Sequence, residues 1–165
     1  MQSVAAFLSW LGALPLAVFL RESPWAFPTV ESIHVVALAL VVGTIAIVDL
    51  RLLGLASAHR PYRQVAREVL PCTWSAFVVA AIAGTLMFVS QPVEYFGNTA
   101  FRVKLLLLLA AGANMLTFQL ITHRTISKHE RSIPLSGKIS GALSLALWIA
   151  VVFFGRRIGF TMSPV

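Results

Sequence analysis

Long apolar stretches separated by short polar clusters dominate the chain, and their lengths set the first expectation. A membrane-spanning helix needs about 20 mostly apolar residues. Four stretches qualify: residues 28–53, 70–90, 99–121 and 135–155. The N-terminal run VAAFLSWLGALPLAVFL is shorter, carries Pro15 at its centre and has only a short link to the next stretch. It reads as a helix over residues 3–20 lying in the membrane interface, anchored by Trp10 and closed by Arg21-Glu22. A fifth span is the alternative. The pattern therefore predicts an all-α, four-helix membrane bundle preceded by an interfacial helix, in one domain over residues 1–165.

Composition strengthens the membrane assignment. The 165 residues are 58% hydrophobic and 12% charged, with a mean hydropathy of +0.86. A soluble domain is about 45–50% apolar and about 25% charged. The net charge of +7 would suit a nucleic-acid partner, but no basic stripe on a soluble surface exists to receive one. Eight of the 13 basic residues instead fall in two short segments: Arg51, Arg60, Arg63 and Arg67, then Arg124, Lys128, Arg131 and Lys138. Excess Lys and Arg marks the cytoplasmic side of a bilayer. Loops 54–69 and 122–134 are thus expected in the cytoplasm, with Glu31 and the loop Gln91 to Asn98 on the other side. Cys72 is the only cysteine, which excludes an intramolecular disulfide and a Cys-rich metal site. Met1 to Leu20 lacks the basic start of a secretory signal and is read as mature sequence.

Small residues mark helix-packing faces. The fourth stretch carries Gly137-x-x-x-Gly141 with Ser136, Ser140 and Ser144 at every fourth position, and the second carries Ala76, Ala80, Ala83, Gly84 and Met87 along one face. Such residues let helix backbones approach closely in lipid. The Gly137/Gly141 face suits either packing within the chain or a seam to a second copy or another membrane subunit.

Ionisable groups inside apolar stretches carry the candidate chemistry, because burying them in a bilayer is costly. His34 lies roughly 9 Å along its helix from Pro28, below the headgroups but short of the bilayer centre, and Glu31 is about one turn shallower. Asp49 is one turn from the opposite end. At about 100° per residue, Glu31, His34 and Asp49 share one face, with Leu38, Val41 and Ile45 between them, and Arg51 points nearly opposite. That face is expected to look into the bundle. The third stretch runs the same way and brings in Arg102 and Lys104, with Lys104 near the depth of His34 and Asn114 near mid-membrane. An outer cluster of Glu31, His34, Arg102 and Lys104 follows, with Met87 at similar depth, and an inner one of Asp49, Gln119, His123 and Arg124. Structural roles compete at each position. Glu31 would pair with Arg102 or Lys104, Asp49 with an arginine at the cytoplasmic end, and Lys104 would snorkel to the surface. His59, His123 and His129 belong to cytoplasmic loops and solvent.

His34 is the residue hardest to explain as packing. Imidazole is a common axial ligand of haem. No second histidine shares its depth, so a sixth ligand would come from Met87, Lys104, water or a second copy. Copper held by His34, Met87 and Met162 is the other metal candidate. Signatures of hydrolases, phosphate loops and zinc proteases are absent from the sequence.

The stretch SPWAFPTVESIHVVALALVVGTIAIVDLRLLG, Ser23 to Gly54, resembles a family of small bacterial inner-membrane proteins of unknown function. The shared pattern is Trp25, Pro28, Glu31 and His34, then Asp49 to Gly54, and Phe101 to Gln119 is similar to that family's third span. The resemblance implies a multi-pass protein of the bacterial inner membrane. More distantly, the layout is similar to the haem-containing protoporphyrinogen oxidase and copper-resistance D families, in which a histidine early in one span and a lysine opening a later one take the places of His34 and Lys104. That likeness implies haem b or copper in electron transfer or metal handling. Two other functions stay open: a cofactor-free structural or assembly subunit, and a proton or small-solute carrier using Glu31, His34 and Asp49.

Overall fold

The computed structural model describes residues 2–57, 59–118 and 133–162. Seven helices are found among them: α1 (Gln2–Gly12), α2 (Pro15–Glu22), α3 (Ala26–Leu53), α4 (Tyr62–Ser90), α5 (Pro92–Gly97), α6 (Thr99–Thr117) and α7 (Leu135–Thr161). Four of them, α3, α4, α6 and α7, are long and apolar enough to cross a membrane. The described residues contain no strand. This is the expected all-α four-helix membrane bundle.

Local chemistry sets the helix ends. Gly54 closes α3 in the left-handed region at φ 78, where a side chain would be strained, and Leu55 N–H returns to the Leu50 carbonyl at 2.9 Å. Pro61 stands just before α4. Asn98 caps α6, its side chain accepting from Ala100 N at 2.9 Å and Phe101 N at 3.2 Å.

Three boundaries differ from the sequence expectation. The helix of the second span begins at Tyr62, not Leu70, so its first turns carry Arg63, Arg67 and Glu68, and Pro71 lies inside it. The last helix continues past residue 155 through Arg156 and Arg157. Long basic side chains can reach water from the last turns of a span, so charge there does not end a helix. The segment expected as a loop after Ser90 contains α5, opened by Pro92. The end of the third stretch, residues 119–121, lies outside the described residues.

The N-terminal run is also corrected. It forms two helices bent by 64°, not one interfacial helix. Pro15 has no N–H to continue a helix and opens the next one instead. Arg21 fastens the pair, its guanidinium donating to the Ser90 carbonyl at 3.3 Å and the Gly12 carbonyl at 3.5 Å. α1 rests on α5, and α2 on α3 and α4.

In the bundle, α3 packs along α4 and α7, and α6 along α7. The Gly137/Gly141 face is covered within the chain. A Cβ on Gly141 would lie 3.1 Å from Leu52 Cβ and 3.2 Å from the Asp49 carbonyl oxygen, so α7 passes directly against α3. Between α3 and α4, Thr73 donates to the Thr44 hydroxyl at 2.8 Å. Aromatic contacts join α4 to α6 at both ends: Tyr62 meets Phe118 edge-on, and Phe88 stacks on Phe101. The bundle thus has an α5 end, where α3 begins, and an Arg60 end, where it finishes.

Candidate functional site

His34 sits in the third turn of α3, half-buried, near the α5 end. Its Nδ1 is 2.8 Å from the Ala80 carbonyl oxygen of α4. A carbonyl can only accept, so Nδ1 carries the hydrogen and the Nε2 lone pair is left for another partner. One turn along α4, Gly84 forms the seat of the ring. A Cβ there would stand 3.0 Å from His34 Cε1 and 3.3 Å from Nδ1. The small residues of α4 therefore admit the imidazole as well as the α3 backbone; Ala76, Ala80 and Ala83 on the same face are buried.

Lys104 reaches the same level from α6. Its side chain lies along Gly155 of α7, whose Cβ position is 3.5 Å from Nζ, 3.6 Å from Cε and 3.8 Å from Cδ. Its charge is close enough to act on the His34 ring. The side chain thus crosses the α7 backbone, and no ion-pair partner accompanies it among the described residues. All four spanning helices contribute here: α3 and α6 the two polar side chains, α4 and α7 the two glycines beside them.

The rest of the expected outer cluster stands apart. Glu31 and Arg102 are exposed, Arg102 is 3.4 Å from the Thr99 hydroxyl, and neither forms an ion pair among the described residues. Glu31 lies within electrostatic reach of Tyr95 of α5. Burial, with the nearby Glu31 and Glu94 carboxylates, pushes the Tyr95 hydroxyl up to about 12, so it stays protonated. Met87 and Met162 pack around Tyr95, Ala100 and Ile158, together with Phe88, Phe101 and Phe154. Among the described residues no group of three or more His, Cys, Asp or Glu side chains is arranged to hold a metal ion.

Toward the Arg60 end the polar residues change role. An apolar layer of Val41, Ala76, Ala111, Trp148 and Val151 comes between, with Val41 and Val151 fully buried. Past it, Asn114 and Ser140 clamp α6 to α7: Asn114 Nδ2 donates to the Ser140 carbonyl at 3.0 Å, and the Ser140 hydroxyl donates to Asn114 Oδ1 at 3.1 Å. Asp49 is buried and forms no ion pair among the described residues, so the expected arginine partner is not found there. Arg51 is buried too, its Nε donating to the Arg60 carbonyl at 2.7 Å. Gln119, His123 and Arg124 of the expected inner cluster lie outside the described residues, as does His129. His59 is exposed.

Two surface grooves complete the picture. One, of about 370 Å³, runs between α1 and the α5 segment beside Arg21 and Glu94. The other, about 440 Å³, is an apolar furrow between α3 and α4 beside Ala37, Cys72 and Ala76. Neither is lined by His34, Lys104 or Asp49.

Four helices long and apolar enough to cross a membrane, with a half-buried histidine and lysine near one end of the bundle, fit a small multi-pass membrane protein. The chain belongs to the family of unknown function DUF6644, whose model matches residues 23–161. That range takes in α3 to α7, and the α1–α2 pair falls before it. No curated protein and no solved structure matches the chain.

Proposed function

We propose that His34 is an intramembrane ligand residue whose Nε2 coordinates the iron of a haem b, with Lys104 providing positive charge beside it, in a protein of the bacterial inner membrane. The observation that carries this is the hydrogen bond from His34 Nδ1 to the Ala80 carbonyl. A ligating histidine characteristically donates its other ring N–H to a carbonyl or carboxylate, which fixes the tautomer and aims the ligating nitrogen. The donor set favours haem over a bare metal ion. Haem brings four equatorial nitrogens and needs only axial ligands from the protein. Copper would need His34, Met87 and Met162 together, and the two methionines are packed into the aromatic cluster at the α5 end. Bound haem would supply one-electron transfer.

A second reading rests on the same bond. His34 would be an interhelical clamp in a cofactor-free structural subunit, joining α3 to α4 as polar side chains do in membrane bundles. The absorption spectrum of purified protein, before and after titration with haem, separates the two. The haem reading expects a Soret band that disappears in both His34→Ala and His34→Asn. Asparagine can still donate to the Ala80 carbonyl, so the clamp reading expects His34→Asn to keep wild-type stability. A wild-type protein with no Soret band after haem titration sinks the proposal.

A further inference from the structure

The Arg60 end of the bundle holds a buried group that the His34 site does not use. Asp49 is 5% exposed, in a layer with Val48, Leu52, Tyr62, Ala66 and Phe118. Its Oδ2 has no hydrogen-bond partner among the described residues. The Ser144 hydroxyl of α7 lies near enough to act on the carboxyl.

The charged and titratable groups around Asp49 leave its charge unmatched among the described residues. From α4, Tyr62 lies within electrostatic reach. α7 brings Ser144, and its Lys138 is exposed. α6 brings Phe118. On α3 itself, Arg51 is two positions away, but its Nε is engaged with the Arg60 carbonyl at 2.7 Å. Arg60 and Glu68 form the one ion pair among the described residues. A buried carboxylate with no counter-ion is strongly disfavoured, and such groups neutralise instead.

We propose that Asp49 is a proton-binding site, its carboxyl carried as the neutral acid in the folded protein. The neutral carboxyl has the Ser144 hydroxyl of α7 beside it, and it tolerates burial far better than a bare carboxylate. Binding takes up one proton and converts carboxylate to acid, with no other group changing state. Asp49 is about one turn from the end of α3, so exchange takes place with the Arg60 side of the membrane. The site stands independently of any cofactor at His34, with the apolar layer around Val41 and Val151 between them.

A sodium ion would also neutralise the carboxylate, and carbodiimide labelling distinguishes the two. Dicyclohexylcarbodiimide adds to protonated carboxyls in apolar surroundings, leaving an N-acylurea that mass spectrometry can place on a residue. With the full chain in liposomes, the adduct is expected on Asp49 and absent from Asp49→Asn. Its rate should fall about tenfold per pH unit above the midpoint of the site, following the protonated fraction. Replacing choline chloride by sodium chloride should leave the rate unchanged. No adduct on Asp49 at any pH overturns the proposal, as does protection by sodium alone. If Asp49→Asn fails to fold, the pH profile of the Asp49 adduct in the unmodified chain decides.

Discussion

At Gly84 a methyl group would stand 3.0 Å from His34 Cε1, so the glycine and the histidine are one structural unit. Gly84→Ala should push the imidazole from its seat and lengthen the bond to the Ala80 carbonyl, costing about 1–3 kcal/mol as overpacking does. A double-mutant cycle isolates the contact. In a His34→Ala background the ring is gone, and the Gly84→Ala penalty should shrink by about 0.5 kcal/mol or more. Thermal or denaturant unfolding of the four proteins in detergent measures it, and equal penalties in both backgrounds would dissolve the unit. The residue scale is also where sequence reading found only half of the site. His34 and Lys104 announce themselves as ionisable groups in apolar surroundings. Their companions do not: Ala80 contributes a main-chain carbonyl, which every residue has, and Gly84 and Gly155 contribute the absence of a side chain. Asp49 was legible as an inward-facing group. That no cation pairs with it among the described residues was not, because pairing is a property of packing, and sequence placed several arginines near enough to suggest one.

Among whole elements, α7 passes directly against α3 at Gly141, where a Cβ would meet the Asp49 carbonyl at 3.2 Å and Leu52 Cβ at 3.1 Å. One of these neighbours is backbone, so relief requires one helix to move. Gly141→Ala is therefore expected to destabilise by about 1–3 kcal/mol. Gly43 and Gly112 are the controls. Nothing lies within 4 Å of a Cβ at either, and alanine there should be neutral or stabilise by up to about 1 kcal/mol through helix propensity. If all three alanines behave alike in unfolding assays, close approach of α7 to α3 is not what holds this part of the bundle. The elements were largely readable beforehand, because hydropathy over about 20 residues registers the cost of exposing a helix backbone to lipid. Their ends were less so. Arg63, Arg67 and Glu68 look like loop but continue α4 into the polar region, and Arg156 and Arg157 do the same for α7. Pro15 was visible as a break, yet only the packing of α1 on α5 shows on which side the broken pair lies.

For the molecule as a whole, the up-and-down order of α3, α4, α6 and α7 puts residue 59 at one end of the bundle and residue 93 at the other. The basic residues Arg51, Arg60, Arg63 and Arg67 gather at the first of these ends, and by the positive-inside rule it should face the cytoplasm. Single cysteines in a Cys72→Ser background test both statements with a membrane-impermeant maleimide on intact cells. Val93→Cys should be labelled from outside, and His59→Cys only after permeabilisation; both native side chains are exposed. Reversed labelling would invert the orientation and keep the bundle, whereas both cysteines reacting from one side would break the bundle's topology. Ser3→Cys, on α1, then decides the place of the N-terminal pair. With α1 resting on α5 and Arg21 donating to the Ser90 carbonyl at 3.3 Å, Ser3→Cys should react from the same side as Val93→Cys. Reaction from the side of His59→Cys would mean that α1 and α2 together cross the bilayer as a fifth span, and the bent pair seated on the α5 end would have to be given up.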